Sequence, residues 1–153
     1  MTDLDLVRQL GPEARWLAVV ATTRPDGSVH ASLVNAGVLD DPPSAAASGP
    51  VIGMVVGGGT RKLTLLRRSG RASVTFQHGW QWVSVEGPVV IAGPDDALPG
   101  VGPAELPGLL RAVFRAAGGS HDNWEEYDRV MAAERRAAVF IRPERVITNR
   151  SSG

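Results

Sequence analysis

The run Val55-Val56-Gly57-Gly58-Gly59-Thr60-Arg61-Lys62 carries an apolar stretch into three glycines, then sets a hydroxyl and two cations at the start of an amphipathic helix. Lys62 is the only lysine among 16 basic residues. A hydroxyl at the N-cap, unpaired first-turn N–H groups and the positive end of the helix dipole make a cradle for an anion, and glycines let a phosphate approach the main chain. The same residues also read as a plain loop and an ordinary cap ahead of a solvated basic helix, with Leu63 and Leu66 facing inward. A Walker A loop is excluded, because Arg61 precedes Lys62 and Leu63 follows it.

The second stretch with chemical content is Gln77-His78-Gly79-Trp80-Gln81-Trp82-Val83-Ser84-Val85-Glu86-Gly87. On a strand, Trp80, Trp82, Ser84 and Glu86 share one face. Two tryptophans stepping along a face can line a slot for a flat ring, or they can fill a core or an interface. Other chemistries find little support. There is no Gly-x-Ser-x-Gly elbow, and His30, His78 and His121 lack ligand-like spacing. His121 and Glu125 stand four apart and read as a solvated helix pair rather than a metal site. The acid pairs Asp40-Asp41, Asp95-Asp96 and Glu125-Glu126 read as solvated loop or capping residues.

Composition bounds the rest. At 153 residues and 43% apolar content, residues 1–153 read as a single domain with an adequate core. The formal charge is zero, so no global field recruits nucleic acid and any anion is recognised locally, which favours a small-molecule ligand. Arg61, Lys62, Arg67, Arg68 and Arg71 fall on two faces without a surrounding basic excess, so they make a poor nucleic-acid surface. The absence of cysteine excludes disulfides, thiolate metal sites and a Cys nucleophile. An acidic N-terminus without a secretory pattern, and no apolar run of membrane-spanning length, point to a cytoplasmic protein with no membrane partner.

The positioning elements follow from periodicity and turn residues. A helix is expected over Thr2 to Leu10, capped by Thr2, with Asp3 and Asp5 in its first turn and Gly11-Pro12 as its stop. Strands are expected at Trp16–Thr23 and Val29–Leu39, joined by the tight turn Arg24-Pro25-Asp26-Gly27-Ser28, then at Val51–Val56, Ala72–Gln77 and Gln81–Ala92. The last of these should bend at Gly87-Pro88. Asp40 to Pro50 reads as an exposed loop. Two late helices are expected, one from Leu106 to Ala117 ended by Gly118-Gly119, the other over His121–Arg135, opened by Asp122. A final strand spans Ala137 to Thr148 around Arg142-Pro143. About six strands with hairpins and few crossover helices predict a mainly β fold, an antiparallel barrel closed or partly closed.

The sequence resembles the flavin- and deazaflavin-binding split β-barrel family, which includes the pyridoxamine 5′-phosphate oxidases and the coenzyme F420-dependent reductases of actinobacteria. The likeness rests on the order and spacing of Ala21 to Asn35, Val55 to Lys62, Arg68 to Val74 and Trp82 to Gly87. It implies a six-stranded Greek-key split barrel and a homodimer with two cofactors at its interface. By position it assigns the cofactor phosphate to Gly59, Thr60, Arg61 and Lys62, and the ring and ribityl region to Ser32, Val34, Asn35, Val55 and Val56. Gln77, Trp80 and Trp82 fall where the partner covers the cofactor, with Asn149 near a further contact. Pyridoxamine phosphate oxidases carry Arg at the Ser32 position and basic C-terminal residues absent here, so the likeness is greater to the F420 branch. The implied activity is hydride transfer between F420 and an unsaturated organic substrate. An FMN-dependent enzyme of the same fold is the first alternative, and a non-catalytic flavin- or deazaflavin-binding protein the second.

Overall fold

A computed structural model describes residues 4–150. The expected cap Thr2 and its neighbour Asp3 lie outside them. The first helix, α1, spans Asp5–Glu13 and runs through Gly11-Pro12 instead of stopping there. Pro12 sits in the last turn, where its missing donor costs one bond, and the Ala14 N–H still reaches the Leu10 carbonyl at 2.9 Å. Gly11 is glycine for another reason: a Cβ there would lie 2.2 Å from the Trp16 ring.

Among the described residues eight strands follow instead of six: β1 (Leu17–Thr23), β2 (Val29–Asn35), β3 (Gly37–Leu39), β4 (Val51–Val56), β5 (Arg71–His78), β6 (Gln81–Ala92), β7 (Ala137–Ile141) and β8 (Arg145–Thr148). The difference in count comes from two breaks. The expected strand Val29–Leu39 divides at the buried Ala36, whose N–H bonds the Trp16 carbonyl, so that β2 pairs with β1 and β3 pairs with β4. The last strand divides at Arg142-Pro143, where proline cannot donate to a ladder.

The sheet order is β2-β1-β5-β6-β7-β4-β3, with β8 on β6, and every pairing is antiparallel. One residue separates β2 from β3 in the chain, yet they stand at opposite ends of this path, so the sheet has to curl on itself as a split barrel does. The corner falls on β6. Its first half pairs with β5 and β8, and its second half pairs with β7. At the corner the Arg142 N–H bonds the Pro88 carbonyl and the Glu144 N–H bonds the Glu86 carbonyl, which brings the Arg142 carbonyl over Gly87.

Inside the curl, Val20, Ile52, Met54, Val74, Phe76, Val83, Val85, Val139 and Ile141 make the core, with Val7 and Leu10 of α1 packed against it. The helix α2 (Arg61–Ser69) adds Leu63 and Leu66. Two further helices, α3 (Leu106–Ala116) and α4 (Trp124–Ala133), cover the outer face of β4 and β7 and form a second cluster with Val51, Phe140 and Ala138. This is why all five residues of β7 are buried. The loop from Asp40 to Pro50 is not wholly exposed, since Ala46 is buried in that cluster. Helix α4 is capped by Asn123, not Asp122. The Asn123 N–H donates to His121 Nδ1 at 2.9 Å, and the Asn123 side chain accepts the Glu126 N–H at 3.1 Å.

A Cβ added at Gly87 would lie 1.7 Å from the Arg142 carbonyl oxygen. Gly87→Ala should therefore lower stability by about 3 kcal/mol or more in urea unfolding, and a variant as stable as the parent would show that the corner does not depend on this approach.

Candidate functional site

The glycine loop is shaped by the protein itself. A Cβ at Gly58 would meet the Arg135 carbonyl oxygen at 2.3 Å, and the Gly58 N–H bonds the Glu134 carbonyl at 3.0 Å. The turn between α4 and β7 thus docks directly on the loop. Gly59 has a φ of 77°, open to glycine at little cost. The Thr60 hydroxyl donates to the Gly57 carbonyl at 2.8 Å and accepts the Leu63 N–H at 3.2 Å, which caps α2 and fixes the loop in one stroke.

Beside this loop opens a cavity of about 860 Å³, lined by Leu33, Val34 and Asn35 of β2, Val55 of β4, Lys62 of α2, and Phe114, Tyr127 and Met131 of the outer helices. Trp16, His121 and Arg136 also line it. This volume suits a cofactor-sized ligand. Of the residues singled out in the sequence, the fold gathers Val34, Asn35, Val55 and Lys62 here. Arg61 is exposed and does not line the cavity, and Val56 turns into the core and does not line it either. Ser32 lies two residues along β2 on the Val34 face, and its buried Oγ makes no hydrogen bond among the described residues. Asn35 donates to the Arg15 carbonyl at 3.3 Å.

Gln77, Trp80 and Trp82 sit apart, at the tip of the β5–β6 hairpin. Gln77 donates to the Gly79 carbonyl at 2.7 Å, and Asn149 braces the tip by accepting the Trp82 N–H and donating to the Trp80 carbonyl. Trp80 is 91% exposed.

The cationic end of the cavity combines residues far apart in sequence. Lys62 is half-buried and has no hydrogen-bond or ion-pair partner among the described residues. Burial, and then the nearby Arg136 charge, lower its pKa below the usual lysine value. Arg136 donates through Nε to Glu134 at 2.7 Å. Nothing in the sequence singled out Arg136, because its partner in space is 74 positions away. Asp95 and Asp96 are not merely solvated: Asp96 takes a two-pronged bond from Arg67 at 2.7 Å, and Asp95 pairs with Arg135, tying the same turn to the β6–α3 loop.

On the helix side of the cavity, Phe114 stacks on Tyr127 with ring centroids 5.0 Å apart, and Trp124 meets both edge-on. The Tyr127 hydroxyl donates to the Leu110 carbonyl at 3.2 Å. The described residues contain no group of three or more His, Asp or Glu side chains able to hold a metal, and no described helix is long and apolar enough to cross a membrane.

No family model and no curated protein sequence matches the chain. Solved structures do. A conserved hypothetical protein from Mycobacterium tuberculosis is 21% identical, with a TM-score of 0.65 over 97% of this chain and 84% of that one. A pyridoxamine 5′-phosphate oxidase-related, FMN-binding protein from Nostoc punctiforme is 11% identical, with a TM-score of 0.62 over 95% and 80% of the two chains. An F420 reductase is 16% identical, with a TM-score of 0.58 over 92% and 94%. The fold is also that of the heme storage protein HutZ from Vibrio cholerae, at 10% identity and a TM-score of 0.56 over 96% and 94%. The chain therefore has the split-barrel fold of the pyridoxamine phosphate oxidase-like proteins, a fold that serves storage as well as redox chemistry.

Tyr127 is the only tyrosine in the chain, and burial raises its pKa above the ordinary 10.0. A raised acid stabilises the fold fully below pH 10.0 and loses that contribution as pH climbs through its folded value. Titration of tyrosinate absorbance should accordingly find the folded midpoint above that of the unfolded chain, and coincident midpoints would place Tyr127 in solvent.

Proposed function

We propose that the chain is an oxidoreductase that binds F420 in the 860 Å³ cavity and moves a hydride between it and an unsaturated small organic molecule. The observation that carries this reading is the half-buried, unpartnered Lys62 at the N-terminus of α2, opening into a cavity with an apolar far wall. A buried cation without a counter-ion is costly, and a phosphate supplied by a ligand offsets that cost. Lys62, Arg61 and the first-turn N–H groups hold the phosphate, with Gly59 and Thr60 shaping its seat. On β2, Val34 and Asn35 meet the ligand with Ser32 behind them, while Val55 forms the wall behind the ring.

When bound, the reduced deazaflavin supplies the hydride. The chain contributes orientation and dryness: Val55, Val113, Phe114 and Met131 keep water from one side. Tyr127 holds its proton against the Leu110 carbonyl, and no side chain is assigned as an acid.

The working unit in this reading is a homodimer. Leu17, Val19, Val29 and Leu33 form an exposed apolar patch on the outer face of β1 and β2, with Leu33 64% exposed. A second copy laid on this face would bring Trp80 and Trp82 of the partner subunit, with Gln77 of the partner subunit, over the cofactor. FMN is the second reading, favoured by the fold shared with an FMN-binding protein.

Fluorescence titration with F420 beside FMN tests both. Lys62→Ala and Arg61→Ala should each weaken the preferred cofactor by about 1.5–3 kcal/mol, roughly 10- to 100-fold, and unchanged affinity in both would remove the phosphate from α2. Because the charged form of Lys62 makes the contact, affinity should fall as pH rises through its lowered pKa, before the ordinary 10.5 is reached; a flat profile up to that pH would contradict the role. Tight binding with no turnover of any acceptor would identify a carrier.

A further inference from the structure

The expected phosphate seat draws both its cations from consecutive residues of one helix. The fold adds a third cation from another part of the chain. Arg136, the residue just before β7, lines the same cavity as Lys62, and its guanidinium carbon lies 4.0 Å from where a Cβ on Gly57 would stand. It is carried there by main-chain docking, since the Arg135 carbonyl rests on Gly58 and the Gly58 N–H bonds the Glu134 carbonyl at 3.0 Å. Only its Nε is engaged, by Glu134 at 2.7 Å, so the two Nη groups remain as donors among the described residues.

We propose that Lys62 and Arg136 form an anion clamp at the cationic end of the cavity, with Arg136 as a phosphate-binding residue and Glu134 as the internal carboxylate that competes with the ligand for it. Two like charges held near each other in one cavity repel until an anion joins them, which is what makes such a pair a receptor rather than a structural contact. The planar fork of Arg136 fits two oxygens of one phosphate or phosphonate, while Lys62 acts as a point charge. The ligand class is thus a small phosphate ester or diester, with the anion bridging α2 and the α4–β7 turn. The clamp rests on the cofactor reading only for the identity of the anion.

The only lysine in the chain makes a selective test possible. Acetylation of Lys62 by acetic anhydride, at mildly alkaline pH in phosphate-free buffer, is followed by the mass of its peptide, with inorganic pyrophosphate as the probe and F420 titrated in parallel. Pyrophosphate should slow acetylation of the parent. Arg136→Gln should weaken that protection about tenfold, comparable to the loss of F420 affinity in Lys62→Gln, and Arg136→Lys should recover part of it. Glu134→Gln, at an exposed side chain, should act in the opposite direction and tighten pyrophosphate several-fold, a gain that a misfolded variant could not produce. Protection by pyrophosphate without F420 binding would keep the clamp and overturn the cofactor. Equal protection in the parent, Arg136→Gln and Glu134→Gln would overturn the clamp, whatever F420 does.

Discussion

A short central strand buried on both faces has to be admitted to the sheet by its neighbours, and here glycines admit it at both ends. The Arg135 carbonyl, before β7, rests on Gly58, and the Arg142 carbonyl, after it, rests on Gly87. Gly93 makes room for the Ala137 side chain in between. A Cβ at Gly58 or Gly87 would meet a main-chain carbonyl and one at Gly93 the Ala137 Cβ, and none of these partners has a rotamer that can give way. The strand so admitted pairs with β4 on one edge and β6 on the other, and separates the interior core from the cluster under α3 and α4. Its seating therefore settles the curl of the sheet and the position of the outer helices at once.

The same contacts build the cavity. Docking of the α4–β7 turn on the glycine loop brings Arg136 to the cavity that Lys62 lines, and α4 presents Tyr127 and Met131 to the same cavity. The loop is consequently less a flexible phosphate strap than a packed joint, with Thr60 bonded on both sides. The ion pairs Arg67–Asp96 and Arg135–Asp95 link the joint to the β6–α3 loop. Exposed pairs of this kind add little stability singly. Their geometric effect is larger, because they restrain the segment that carries Arg136. Packed main chain around two half-buried cationic side chains is a suitable arrangement for an anion receptor, because little of the frame has to be organised on binding.

The outer face shows a different economy. The interior of the barrel is saturated with aliphatic residues, yet the reverse side of β1 and β2 exposes Leu17, Val19, Val29 and Leu33. Along these strands the alternation that normally puts polar residues outside is missing, although neighbouring β5 shows it with Ser73, Thr75 and Gln77. Together with the brace that Asn149 applies to the Trp80 hairpin tip, this contrast gives the proposed dimer a physical motive that does not depend on any likeness to other proteins.

Local features were legible in the sequence where the cause is local. Thr60 capping α2, the strand alternation from Ala72 to Gln77, the glycine stop after α3 and the bend at Gly87-Pro88 all follow from backbone preferences within a few residues. The misplacements have equally local causes that only contact reveals: Ala36 breaks a strand because its N–H is taken by Trp16, and Gly11 accommodates an indole instead of ending a helix. The sequence by itself determined the presence of one lysine at a helix start and the pattern of a β barrel, since composition and periodicity are properties of the chain. Only the tertiary structure decided that Arg136, and not Arg61, lines the cavity with this lysine, because that meeting depends on a turn 74 residues away packing against a glycine, and no periodicity in a chain encodes which distant carbonyl will rest on which missing side chain.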